Sequence, residues 1–219
     1  MMTRMEIEYG EGGSADVQFT SGLLSVRGRC GVTEDEFDDL VFLSQVHSAD
    51  ILVSPSGGEV ADGLIMDAGS RAPALRVADC LPVFLASEER TAAFHAGWRG
   101  LAAGIASRMI ELFSGTPDMV VLGPSICAEC YEVGPEVRNA VLDGISTDGH
   151  PPDHLDLGLA AVERMRKAGL PSGCPVFRLP GCTKCTPGMF HSHRGDGTLE
   201  RNILWMRGAQ QRQVARRRG

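Results

Sequence analysis

The stretch ALRVADCLPVFLASEERTAAFHAGWRGL, residues 74–101, decides the fold class of this chain. Three short apolar runs lie in it, at 74–77, 83–86 and 91–94, bounded by charged residues, proline or glycine. Runs of this length and setting read as strands. No helical segment separates them. Similar runs lie at 23–26, 40–43, 51–53, 64–66, 119–122 and 176–178. Helical periodicity appears at 101–113, 135–142 and 157–168. In the last, Leu157, Ala161, Met165 and Ala168 share one face. Asp156 is placed as its N-cap and Gly169 as its stop, and Pro135 suits the first turn of the second helix.

Strands therefore outnumber helices and do not alternate with them one for one. That pattern argues against a doubly wound parallel sheet and predicts a mixed α+β domain, with helices covering one or more sheets. The 219 residues suffice for one large domain. Pro151-Pro152 reads as a surface loop, too weak a break to divide the chain. No internal repeat and no long linker interrupts it.

The hydrophobic content of 43% is that of a globular protein, and 27 glycines imply many tight turns. The formal charge is −7. Residues 212–219 carry Arg212, Arg216, Arg217 and Arg218, so the body of the chain is more acidic than the total. An acidic body disfavours nucleic acid as the main ligand, and the basic tail reads as a flexible, solvated end. The first residues lack the apolar core of a signal peptide, and no apolar run reaches membrane-spanning length. A soluble, cytoplasmic protein is expected. Seven cysteines, an odd count in a chain able to build its own core, point to metal or catalytic roles rather than a disulfide framework.

Three residues in short unusual peptides carry the chemistry: His47 in Gln45-Val46-His47, Cys80 in Ala78-Asp79-Cys80-Leu81-Pro82, and His95 in His95-Ala96-Gly97-Trp98-Arg99-Gly100. Two imidazoles and a thiolate make a three-point holder for zinc, with the open fourth position of a catalytic site. Arg99 and a glycine turn ahead of a helix add features that favour an anion. Cys127-x-x-Cys130 and Cys182-x-x-Cys185 offer a competing four-cysteine zinc reading. Their wide separation in sequence ranks it below the His/Cys set. Residues 190–197 form a polar, glycine-bearing turn containing His191 and His193, and Arg194 and Arg201 are candidate anion partners.

Taken together, these peptides resemble the laccase-domain family, once labelled polyphenol oxidases and also described as purine nucleoside phosphorylases with adenosine deaminase activity. Ala61-Asp62-Gly63-Leu64, Gly123-Pro124-Ser125-Ile126, Cys130-Tyr131-Glu132-Val133, Leu155-Asp156-Leu157, Cys182-Thr183 and Phe190-x-Ser192-x-Arg194 belong to the same set, in the family's order. The resemblance implies a layered α/β/β/α arrangement with mixed sheets. It implies zinc at His47, Cys80 and His95, and catalytic roles for Cys80, Asp79 and Arg99. Substrate contacts are implied for Gln45, Arg99, Ser192 and Arg194, with purine nucleosides and phosphate as partners. Adenosine deamination and methylthioadenosine cleavage are the related activities. Asp79 is read as a general base or as the group that orients a ligand histidine.

The chain departs from the family pattern in its N-terminal region, where only Gly12-Gly13-Ser14 echoes a Gly-Gly-Val-Ser stretch. It departs again at Gly195, where a second arginine is usual, and at Glu200, where a glycine is usual. These departures bear on substrate range more than on the metal. Three other readings stand beside the phosphorylase. One is a copper-dependent polyphenol oxidase, since His₂Cys also suits copper, although no Met follows His95 closely and six histidines are few for a copper cluster. Another is a cysteine hydrolase editing cell-wall precursors, with Cys80 as nucleophile and His95 as base. The third is a metal-bearing binding module without turnover.

Overall fold

Residues 81–86 and 90–96 explain the architecture first, because their side chains alternate between two separate cores. The computed structural model describes residues 25–30, 38–150, 152–186 and 188–207. In β6 (Leu81–Ala86) and β7 (Arg90–Ala96), Leu81, Val83, Leu85, Ala92, Phe94 and Ala96 face one core. Phe84, Ala86 and Ala93 face the other. A strand buried on both faces reads as a near-continuous apolar run, which is why these segments show little polar alternation.

Two mixed sheets result. The larger has the order β3-β4-β7-β6-β8-β9, adding β3 (Ile51–Val53), β4 (Gly63–Asp67), β8 (Met119–Leu122) and β9 (Val176–Arg178). Its four central strands are antiparallel, while β3 joins β4 and β9 joins β8 in parallel. The smaller sheet runs β1-β10-β5-β2, from Ser25–Cys30, Asn202–Arg207, Ala72–Val77 and Leu40–Val41. Between the sheets lies a core of Leu43, Leu64, Met66, Leu75, Val77, Phe84, Val121, Leu204 and Met206.

Helices α1 (Trp98–Ala102), α2 (Ile105–Leu112), α3 (Pro135–Leu142) and α4 (Leu157–Lys167) share the core on the other face of the large sheet. A short α5 (His193–Asp196) precedes β10. The outer face of the small sheet carries Leu40, Phe42, Ala72, Ala74, Ile203 and Trp205, all buried. The expected α+β class with mixed sheets holds, in a single domain. Among the described residues, the helix, sheet and sheet layers are present.

Most expected elements recur within a residue or two. Asp156 caps α4 by accepting from the Leu159 N–H at 3.0 Å, and Pro135 opens α3. Two expectations change. The single helix at 101–113 is two, because Gly104 at φ +89° turns the chain between α1 and α2. Strand β10 was not foreseen: NILWMR follows a polar loop, and its partners β1 and β5 are remote in sequence. Gly12 to Ser14, Leu23, Leu24, Pro151 and the arginine-rich end lie outside the described residues. No helix among those described is long and apolar enough to cross a membrane.

Phe84 is fully buried in the core between the sheets. Phe84→Ala should cost about 3–5 kcal/mol of unfolding free energy by urea titration, since a rigid two-sheet core cannot close the cavity.

Candidate metal centre and active site

The site forms where β7 ends and β6 and β4 begin. Leu81 pairs with Ala96 there, and Gly63 pairs with Phe94. His95 is the penultimate residue of β7 and is almost fully buried. Cys80 lies in the turn from β5 to β6. His47 comes from the loop between β2 and β3. The ligand atoms of the three residues all lie within 4.8 Å of one another. The Cys80 Sγ is 3.8 Å from the His47 Nε2, and the two imidazole rings meet edge to face at 4.7 Å.

Asp62, fully buried beside β4, arranges two of the three. Its Oδ2 accepts the N–H groups of Val46 at 3.0 Å and Ser48 at 2.7 Å. Its Oδ1 accepts the His47 N–H at 2.9 Å and lies 2.9 Å from the His95 Nδ1. His47 holds φ at +63°, in the left-handed region that a side chain with a Cβ rarely adopts. The Asp62 carboxylate clamps that strained turn on both sides. Burial alone would raise the Asp62 pKa, but the bonds from His95, Ser48 and Val46 outweigh it and hold the value at about 2. An ionised carboxylate can only accept, so the His95 Nδ1 carries the proton and Nε2 is left for the metal side. Sequence reading quoted Asp62 only as part of a matching peptide. The signal that could have found it is a lone acid between apolar residues at the mouth of a strand.

Asp79 is the second buried carboxylate, at φ +87°. Oδ1 accepts from the Thr183 hydroxyl at 2.6 Å and the Ser192 hydroxyl at 2.7 Å, and Oδ2 accepts the Arg194 N–H at 2.6 Å. It therefore ties the Cys80 turn to the 183 and 192–194 segments. The group that orients a ligand histidine is Asp62.

Metal fit rests on the donor set and on Gly97. A Cβ at that position would lie 2.9 Å from the His47 ring and 3.0 Å from the Cys80 sulfur, so glycine keeps the space around the donors clear. In the metal-free protein the donors polarise one another. Burial pushes the Cys80 thiol up, yet hydrogen bonds and charge from His47 and His95 bring it down to about 6. Burial likewise disfavours charge on His95, but Asp62 and Cys80 raise it to about 9. A thiolate and two imidazoles, one with its far nitrogen bonded to a carboxylate, are the ligands and support of a zinc or copper site.

Around this centre is a cavity of about 620 Å³. Its walls include Gln45, Arg76, Trp98, Arg99, Tyr131, His193, Arg194 and Arg201. The Arg99 guanidinium lies 4.5 Å from the Trp98 ring and that of Arg194 5.1 Å from the Tyr131 ring. Burial is the main cause that pushes the Tyr131 hydroxyl up to about 12, so it stays neutral. The expected residues Gln45, His47, Asp79, Cys80, His95, Arg99, Arg194 and Arg201 thus share one cavity. Gln45 turns its amide to the backbone of Arg76, bonded in both directions at 2.9 Å. Ser192 is buried outside the lining, bonded to Asp79 and capping α5 through the Gly195 N–H. Arg76, Trp98 and Tyr131 join the cavity beyond the expected contacts, and His193 comes to it from the polar turn at 190–197.

Residues 26–206 match the family described as multi-copper polyphenol oxidoreductase laccase. The chain is 33% identical over 181 residues to the purine nucleoside phosphorylase YfiH of Escherichia coli, covering 76% of this chain and 73% of that one. It is 28% identical over 186 residues to adenosine deaminase RL5 from an unknown prokaryotic organism, covering 73% and 71%. Its fold matches the crystal structure of YlmD from Geobacillus stearothermophilus with a TM-score of 0.77 at 22% identity, over 94% and 99% of the two chains.

Asp62→Asn keeps the size of the side chain but loses two of the acceptor sites that four N–H donors share. Chelator competition should show metal affinity lower by about 10- to 100-fold. In metal-free wild type, the rate of Cys80 alkylation should follow a midpoint near pH 6 rather than the ordinary 9.0. The sign follows from the depressed value: the thiolate's contribution to stability is full above 9.0 and is lost as the pH falls through about 6.

Proposed function

The chain belongs to the family described as multi-copper polyphenol oxidoreductase laccase, and from that premise we propose that it is a zinc-dependent purine nucleoside phosphorylase. Adenosine deamination and methylthioadenosine cleavage are the related reactions of the same site. The observation that carries this reading is one cavity that joins a His₂Cys donor set to four arginines and two aromatic rings. Zinc held by His47, Cys80 and His95 would supply Lewis acidity.

The remaining work falls to the chain's own residues. Arg99 and Arg194, both exposed at the cavity wall, bind and orient the phosphate anion, with Arg76 and Arg201 adding positive charge around it. Trp98 and Tyr131 offer flat faces to a purine, and the guanidinium groups already stacked on them bring anion and base subsites side by side. In phosphorolysis a phosphate oxygen bonds to the ribose anomeric carbon as the bond to the purine breaks. The purine takes the electron pair and a proton. Positive charge held at the phosphate lowers the cost of bringing that dianion out of water. Asp79, saturated by three donors, acts as a positioning residue: it fixes the Cys80 turn against the segment that carries Arg194.

The donor inventory favours this over copper oxidation. Among the described residues, the groups of three or more metal-type donors are this His₂Cys set and a set of four cysteines. Neither resembles the histidine-rich cluster of a multi-copper centre. A second reading has its own support. The Cys80 sulfur, with His47 at 3.8 Å and a lowered pKa, has the setting of a cysteine nucleophile.

Cys80→Ala should lose one metal ion per chain, and inosine cleavage dependent on phosphate should fall by about 10³-fold or more, with far-UV circular dichroism unchanged. Metal analysis and turnover are read on the same samples. Full activity in that variant would overturn the proposal. Activity surviving in metal-stripped wild type, and abolished by iodoacetamide, would replace it with the cysteine hydrolase.

A further inference from the structure

We infer that Cys127, Cys130, Cys182 and Cys185 form a second metal site, a structural one that takes zinc, apart from the His47–Cys80–His95 centre. The four sulfurs all lie within 4.8 Å of one another. All four are free thiols. A tetrahedral zinc tetrathiolate with Zn–S near 2.3 Å spaces its sulfurs about 3.8 Å apart, so four converging thiols need only a small contraction to reach it. A disulfide would draw two sulfurs together and give the other two no reason to converge. Four protein ligands also close the coordination sphere, which is the mark of a structural site.

The fold explains how a long sequence gap closes. Cys127 and Cys182 are 55 residues apart. Strands β8 and β9 are parallel neighbours, and the chain between them makes the crossover through α3 and α4. The segments that leave the two strands therefore run side by side. Leu179 bonds to the Leu122 carbonyl, Ser125 bridges Cys182, and the Thr183 N–H reaches the Ser125 carbonyl at 3.1 Å. Each Cys-x-x-Cys then turns back on itself, with the Cys130 N–H on the Cys127 carbonyl and the Thr186 N–H on the Cys182 carbonyl, both at 3.1 Å. The Cys182 sulfur accepts N–H bonds from Cys127 at 3.2 Å and Cys185 at 3.5 Å. Backbone donors aimed at a sulfur are the supporting contacts a metal thiolate uses. Binding releases the thiol protons to solvent and leaves the zinc held by four thiolates.

This site braces the wall of the catalytic cavity. Tyr131 follows Cys130 directly, and Thr183, next to Cys182, donates to Asp79.

The test is zinc content of purified full-length chain by mass spectrometry of the metal, in three proteins. His47→Ala/Cys80→Ala should keep one zinc per chain. Cys127→Ser/Cys185→Ser should lose one zinc relative to wild type and retain the one at the other centre. Cobalt loaded into metal-stripped His47→Ala/Cys80→Ala should give the intense thiolate charge-transfer bands of a four-sulfur tetrahedral site. That measurement leaves all four cysteines in place, so it holds even if the serine variant fails to fold. Zinc-free His47→Ala/Cys80→Ala with no cobalt–thiolate spectrum would overturn the proposal. So would unchanged zinc in the serine variant, or iron in place of zinc.

Discussion

Four hydrogen-bond donors converge on the buried carboxylate of Asp62, and the rest of the site depends on them. Three are backbone N–H groups of a loop, and the fourth is an imidazole on the central strand of the large sheet. A fully buried carboxylate is costly unless every lone pair is used. Here that cost is offset by the same bonds that define the function. They hold His47 at a positive φ, fix the tautomer of His95, and lock the loop before β3 to the start of β4. The sheet itself supplies the stiffness: β7 and β6 are packed on both faces, so a ligand at the end of β7 moves little.

Asp79 repeats the device one turn away. Its own backbone sits at a positive φ, as that of His47 does, and like Asp62 it is surrounded by donors, this time from segments late in the chain. Backbone strain of this kind persists only where the surroundings over-determine it. The two carboxylates divide the labour. Asp62 orders the imidazoles, whereas Asp79 fastens the Cys80 turn to the loop that presents Arg194. Both carboxylates are thus engaged by donors from the chain itself.

The central strands of the large sheet were legible in the sequence because they are buried on both faces and so stand out as apolar runs. That His47, Cys80 and His95 meet was legible because they sit in peptides of unusual composition. Other features were not. Strand β10 has an apolar run of its own at 203–206, but its place between β1 and β5 comes from partners remote in sequence that no local pattern records. The break at Gly104 was hidden by continuous helical periodicity on either side. Asp62 looks like any acid until the loop folds over it. For the four cysteines, sequence separation was a poor measure of distance. A parallel crossover returns the chain to its starting edge, so the length of the connection says nothing about where its ends lie.

The cavity has two kinds of wall, and the difference bears on how one fold accommodates relatives named for a phosphorylase and for a deaminase. The inner wall is made of strand ends and the buried Asp79, with Asp62 behind it holding His47 and His95. The outer wall is made of Arg99, Arg194 and Arg201, exposed side chains stacked on rings or bonded to nearby carbonyls. An arginine at the surface can be replaced or repositioned at little cost to the fold, whereas any change at Asp62 disturbs the loop, the imidazole and the sheet together. Divergence in substrate is therefore expected to collect on the outer wall. Gly195 and Glu200 lie at that wall beside Arg194 and Arg201. The physical constraint that fixes the inner wall is thus also what leaves the outer wall open to change.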